Sequence, residues 1–155
     1  LNQTKLSHAD LKKADLNWAK LNDATLTKAN LNGATLTNAQ LLQADLTEAT
    51  VQFAQLGGAL FNDANLTRVN FSSTNLTKAN LSRANLSDAD LREINLSEAV
   101  VVGIEINKAV VDENWPEQLK KWQPNGLKEL QDRYTVVNDT FDQWKIPMYR
   151  LKKIE

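Results

Sequence analysis

From Leu1 to Val111 every fifth residue is a large apolar side chain, with no exception in 23 consecutive positions. Nineteen of these are Leu or Phe, and the others are Val51, Val101, Ile106 and Val111. Two residues before each runs a second column, Thr4, Ala9, Ala14 and so on to Ala109, with Ala at 17 of 22 positions, so a small side chain is favoured there. Its exceptions, Thr4, Val69, Thr74, Ile94 and Ile104, are β-branched.

A five-residue period fits neither the 3.6-residue helix nor a sustained two-residue strand. It fits a short extended unit followed by a turn. Residues two apart in an extended segment share a face, so the Ala and Leu columns point inward together and the polar residue between them points out. The next pair, such as Asn22-Asp23, Thr27-Lys28 or Ser82-Arg83, has the polar composition of solvent-facing turns.

Units such as Ala44-Asp45-Leu46-Thr47-Glu48 and Ala79-Asn80-Leu81-Ser82-Arg83 resemble those of the pentapeptide-repeat proteins, a family abundant in cyanobacteria. The resemblance implies an all-β solenoid, a right-handed quadrilateral β-helix in which four pentapeptides close one coil of about 20 residues. On that reading residues 1–112 form five to six coils and residues 113–155 a separate tail. Phe71 then falls over the smaller Val51, as dense packing favours. Each coil cannot bury its apolar face alone, so stability is collective.

After Val111 the period stops and aromatic residues gather. Asn114 is positioned to cap a helix with Pro116 in its first turn, running to about Trp122. Pro124-Asn125-Gly126 breaks it. Leu127, Leu130 and Tyr134 share the face of a second helix. These spacings predict a short α-helical cap over the open end of the solenoid, which would otherwise expose unpaired backbone. Trp115, Trp122, Leu127, Leu130, Tyr134, Phe141 and Trp144 are the candidate cap residues, and a monomer is expected. The alternative, implied by family members that inhibit topoisomerases, is a homodimer joined through the tail.

The formal net charge is −1, without the basic excess that binding to nucleic acid or anionic lipid requires. There is no cysteine, hence no disulfide and no thiolate. The longest apolar run, from Ala99 to Ile104 and interrupted by Gly103, is far short of the roughly 20 residues that span a bilayer. The chain opens on Leu1 already in phase with the repeat. That start fits export to a thylakoid lumen or periplasm after removal of a signal, or a chain shortened upstream of a cytoplasmic protein.

His8, the one histidine, falls at an outward turn with no cysteine to activate. No hydrolase elbow, phosphate loop or metal spacing appears, Gly57-Gly58 is a repeat turn, and no catalytic, metal or cofactor site is expected. Asn-Xaa-Ser/Thr triplets such as Asn65-Leu66-Thr67 are written by the repeat. Ser7, Thr27, Thr47, Thr67 and Ser87 recur every 20 residues as a hydroxyl column, which suits the turn and would also suit ordered water or ice. Trp18, Leu42, Phe53 and Leu60 are large apolar residues at outward positions, with Leu42 and Leu60 on one face in adjacent coils. These four are the candidate partner surface.

Three functions compete. A non-catalytic scaffold that binds another protein through flat faces is favoured. An inhibitor of a type II topoisomerase that imitates DNA needs a strongly acidic coat, whereas residues 1–112 hold 12 acidic and 10 basic side chains. An enzyme needs a cleft, and a filled rod offers none.

Overall fold

The computed structural model describes residues 1–141 and 147–154. Parallel bridges join residues 20 apart: Lys5 to Thr25, Thr25 to Asp45, Asp45 to Asn65, Asn65 to Asn85 and Asn85 to Glu105 form one column, and three further columns start at Asp10, Asp15 and Lys20. Four bridge columns for each 20-residue coil make the solenoid four-sided. Only one residue in five is extended enough to bridge, so each side is a single ladder rung and not a continuous strand.

Each corner is a closed turn. The Leu6 carbonyl accepts the Ala9 N–H at 3.0 Å, and the same bond recurs at every alanine of the second column, from 2.9 to 3.3 Å. The residue before each alanine lies in the left-handed region, as with Lys28 at φ 58°, Glu48 at φ 60° and Arg83 at φ 58°. This is the signature of a type II turn. A non-glycine residue there costs about 1–2 kcal/mol. The cost is offset because that residue's N–H is aimed at the next coil: Lys28 N–H donates to Thr47 O at 2.9 Å.

The alanine column has a structural reason beyond volume. At Thr74, Ile94 and Ile104 the turn bond is absent, while Thr4 and Val69 keep it at 3.3 and 3.2 Å, within the range of the alanines. At the three open corners a branched side chain faces inward and the backbone stands away from the carbonyl three residues earlier.

The residue between the two columns also has its identity explained. An Asn or Asp there accepts the N–H two residues on: Asn30 from Asn32 at 3.1 Å, Asn75 from Thr77 at 3.1 Å, Asn80 from Ser82 at 3.0 Å. A following Ser or Thr donates its hydroxyl to the same oxygen, as Thr67 does to Asn65 at 2.7 Å. The recurrent Asn-Xaa-Ser/Thr triplet is thus a backbone-satisfying device. Elsewhere an Asn one coil earlier supplies the acceptor, as Asn22 does for Leu42 at 3.0 Å and Asn32 for Gln52 at 2.9 Å. Beyond the first coil and among the described residues, the turn N–H groups of Thr27, Gly57, Asn62, Val102 and Asn107 have neither kind of acceptor.

Both inward columns are buried from Leu21 onward, while Leu6, Leu11 and Leu16 of the first coil are half-buried. Burying each Leu contributes about 1.5–3 kcal/mol. Phe61 and Phe71 meet edge to face inside the coil, with centroids 6.1 Å apart.

From Val110 the chain forms β1 (Val110–Val111), α1 (Trp115–Trp122), α2 (Leu127–Arg133), β2 (Tyr134–Phe141) and β3 (Pro147–Lys153). The purely helical tail expected from residues 113–155 is corrected here: two strands follow the helices. They build an antiparallel sheet in the order β1-β3-β2, with Val111 opposite Tyr149 and Val136 opposite Leu151. The cause is the run Tyr134-Thr135-Val136-Val137, whose aromatic and β-branched side chains favour strand over helix. Tyr134 accordingly opens β2 and does not extend α2. Asn114 occupies the N-cap of α1, but its side chain makes no capping bond; its carbonyl accepts the N–H groups of Glu117 and Gln118.

The tail supplies partners to the last coil's edge. Glu98 N–H donates to Trp122 O, Val101 N–H to Asn125 O and Lys108 N–H to Leu151 O. Side chains complete the set: Glu93 N–H donates to Asp112, Gly103 N–H to Glu129 and Ile106 N–H to the Tyr134 hydroxyl.

Candidate functional site

The four outward apolar residues occupy three different situations. Trp18 and Phe53 are corner residues in the left-handed region, at φ 60° and 59°, and remain 72% and 65% exposed. They lie on different corners and two coils apart, so the fold does not join them in one patch. Leu42 and Leu60 are half-buried. One coil earlier the equivalent pair, Asn22 and Gln40, touches at 3.4 Å through its side chains, which makes Leu42 and Leu60 neighbours.

This pair departs from the rule that governs the coat. Leu60 stands where an Asn or Asp would accept the Asn62 N–H, and Leu42 where an Asn would accept it from one coil earlier. With leucine at both, that N–H has no acceptor among the described residues. Two half-buried apolar side chains thus replace two alternative hydrogen-bond acceptors at one spot of the coat.

Among the described residues, four of the five hydroxyls in the column are engaged within the fold, and only that of Ser87 is not. Ser7 and Thr27 bond each other at 2.7 Å, Thr47 donates to Asp45 at 2.6 Å and Thr67 to Asn65 at 2.7 Å. Corner charges pair between coils in the same manner: Arg68 and Lys28 flank Glu48 at 2.7 and 3.6 Å, and Arg83 meets Asp63 at 2.7 Å. The Arg68 hydrogen bond holds the Glu48 carboxyl below its ordinary range, and Arg83 does the same for Asp63. His8 is an exposed corner residue.

Among the tail candidates, Trp115, Leu130 and Tyr134 are buried in the same cluster as the coil interior, joined by Leu119 and Leu151 of the tail. Trp122 and Leu127 are half-buried against it, and Trp115 and Trp122 stack edge to face at 5.7 Å. Phe141 closes β2, and its side chain and all of Trp144 lie outside the described residues.

A polar joint that the one-dimensional reading did not find ties tail to coil. Arg133 donates to Ile104 O at 3.0 Å and to Glu105 and Glu129 carboxylates, while the Tyr134 hydroxyl donates to Glu105 Oε2 at 2.7 Å. The Tyr134 hydrogen bond, reinforced by Arg133, holds the Glu105 carboxyl low against the opposing effect of burial. Burial and the Glu105 contact push the Tyr134 phenol up. The signal for this joint is Glu105 itself, the one Glu among the residues that stand between the two inward columns.

No cluster of His, Cys, Asp or Glu able to hold a metal is found among the described residues. No helix among them is long and apolar enough to cross a membrane.

The stacked pentapeptide coils with inward Leu and Ala columns define a β-helix solenoid. The chain belongs to the pentapeptide-repeat family, which it matches over residues 1–27, 24–63 and 64–100 with eight copies of the repeat. No curated protein sequence matches it. Among solved structures it is similar to a pentapeptide repeat protein from the cyanobacterium Cyanothece 51142, at 37% identity over 61% of each chain with a TM-score of 0.55. This chain therefore spans about three fifths of that relative's length. It is also similar to a pentapeptide repeat protein from Nostoc PCC 7120, at 26% identity over 68% of this chain and 83% of the other, TM-score 0.59. A third, from the Arabidopsis thaliana thylakoid lumen, is 29% identical over 78% of this chain and 77% of its own, TM-score 0.46.

Proposed function

We propose that the chain is a non-catalytic scaffold that binds another protein on a coil face, its solenoid winding right-handed as the family resemblance implies, with residues 113–155 as a cap on a monomer. The observation that carries this reading is the Leu42–Leu60 pair, two adjoining leucines set where most turns of the coat use hydrogen-bond acceptors, so that the Asn62 N–H, like those of Thr27, Gly57, Val102 and Asn107, is unpaired among the described residues. A surface that forgoes a backbone partner for two apolar side chains suits a partner that brings both an apolar contact and an acceptor. Trp18 and Phe53, on other corners of the solenoid, would be separate contacts.

Capture from a native extract with the intact protein, against Leu42→Asn/Leu60→Asn and Trp18→Ala/Phe53→Ala forms, tests the reading. Loss of a specific partner with the leucine pair supports it, and identical recovery by all forms sinks it. Light scattering tests the cap: a monomer at high concentration is expected, since Trp115 is buried within its own chain. A stable dimer lost on Trp122→Ala would overturn that part.

A further inference from the structure

The sequence contains the pair Asn-Gly twice, at Asn32-Gly33 and Asn125-Gly126. Both glycines have positive φ, 68° and 98°, which a residue with a side chain adopts only with strain. At Gly126 space adds a second reason for glycine: a Cβ there would stand 3.0 Å from Val102 N and 3.1 Å from the Val101 carbonyl carbon.

An asparagine followed by glycine can cyclise, because the glycine nitrogen reaches the side-chain carbonyl carbon with no Cβ in the way. The fold treats the two pairs in opposite ways. Asn32 Oδ1 accepts the Gln52 N–H at 2.9 Å and the Gly33 N–H donates to Gln52 O at 2.8 Å, so both reacting groups are held by the next coil. Asn125 is exposed, and among the described residues neither its side-chain amide nor the Gly126 N–H has a partner. Only the main chain of Asn125 is tied: its N–H donates to Ala99 O and its carbonyl accepts the Val101 N–H, both at 2.8 Å, across the bridge to Val100.

We propose that Asn125 is a self-modification site, where deamidation loosens the cap from the last coil. The Gly126 nitrogen bonds to Asn125 Cγ and gives up its proton, and the side-chain amide nitrogen takes a proton and leaves as ammonia. Water then opens the cyclic imide. Breaking the bond from nitrogen to Cγ restores the main chain with an aspartyl side chain. Breaking the bond from nitrogen to the α-carbonyl carbon leaves an isoaspartyl link that runs through Cβ. Nothing is oxidised or reduced, and water is the sole co-reactant. The isoaspartyl link adds one atom between the N–H that serves Ala99 and the carbonyl that serves Val101, which displaces that carbonyl from its donor. This site is on the tail and is independent of the coil face discussed above.

The test ages the intact protein in mildly alkaline buffer made with heavy-oxygen water and maps both peptides by mass spectrometry. Asn125 should convert to the acid, with uptake of the heavy oxygen, at least about tenfold faster than Asn32, which must wait for local opening of the coils. In denaturant the fold no longer distinguishes the pairs, and their rates should converge. Amide exchange on the aged protein should show Val101 losing protection by about tenfold while Leu46 keeps its own. Asn125→Gln, whose longer side chain closes the larger ring poorly, should age without either change. No conversion at Asn125, equal conversion of the two pairs in the folded protein, a gap between them that persists in denaturant, or unaltered protection of Val101 after conversion overturns the proposal.

Discussion

Thr74 donates its buried hydroxyl to the backbone carbonyl of Val51, 23 residues earlier, at 2.8 Å. The same carbonyl also accepts the Ala54 N–H, at 3.3 Å, the longest turn bond made by any alanine of the column. Thr74 is 1% exposed and its own corner has lost the bond to Phe71. The hydroxyl therefore ties an opened corner to the coil beneath it. Thr74→Val keeps the branched shape and removes the tie. It should lower stability by about 1 kcal/mol, read as a shift in denaturation midpoint at unchanged slope; no shift would mean the contact is idle.

Three of the five exceptions in the alanine column, Thr74, Ile94 and Ile104, have open corners, whereas every alanine corner is closed. Ala64 closes its corner on Phe61 at 3.0 Å with no exposed surface to spare. Ala64→Ile should overpack the interior at a cost of about 1–3 kcal/mol and open that corner, so its amide should exchange hydrogen faster than that of Ala59. Unaltered protection of residue 64 would refute the claim that side-chain size controls corner closure.

How far the chain could be read in one dimension follows from where its constraints lie. The coil was legible because period, inward pairing and turn chemistry repeat and reinforce one another: Leu46, Leu66 and Leu86 each report the same geometry. The patch at Leu42 and Leu60 was also visible as a breach of that pattern. What made it specific, the unpaired Asn62 N–H, depended on acceptors two residues and twenty residues away and needed the fold. The tail lacks repetition. Leu127, Leu130 and Tyr134 match a helical period, but Thr135, Val136 and Val137 are β-formers, and the pairing of Val111 with Tyr149 across 38 residues settles the competition. The Glu105, Arg133 and Tyr134 joint was hidden for the same reason, since its members lie 28 and 29 residues apart.

Restoring the rule at the patch should stabilise the protein. Leu60→Asn places an acceptor two residues before Asn62, where Asn80 serves Ser82 at 3.0 Å. A gain of about 0.5–1 kcal/mol is expected, reduced by whatever apolar contact Leu60 makes with Leu42. The same change should abolish binding of any partner that uses the pair. Lower stability in thermal denaturation would show that the leucines serve packing, and the functional reading would lose its main support.

The tail joint should weaken in acid. Glu105 has a folded-state pKa below its ordinary 4.5, chiefly through the Tyr134 hydroxyl and then Arg133, with Lys153 also facing it. Glu129, the remaining carboxylate of the joint, pairs with the same Arg133. A depressed carboxylate contributes stability that is fully present above the unfolded value and is lost as pH falls through the folded one. Below about pH 4.5 the unfolded chain takes up the proton first, and the contribution shrinks until the folded carboxyl is protonated as well. Because the Glu105 side chain is 45% exposed, solvent screens the effect and the tail should loosen without unfolding the coils. Amide exchange corrected for intrinsic rates should therefore show Gly103, Ile106 and Lys108 losing protection from pH 6 to pH 3.5 while Leu46 and Leu66 keep theirs. Glu105→Gln should lack most of this pH dependence, with protection already reduced at neutral pH. If wild type and variant lose protection in parallel, the joint titrates elsewhere and Glu105 is not its acid-sensitive member.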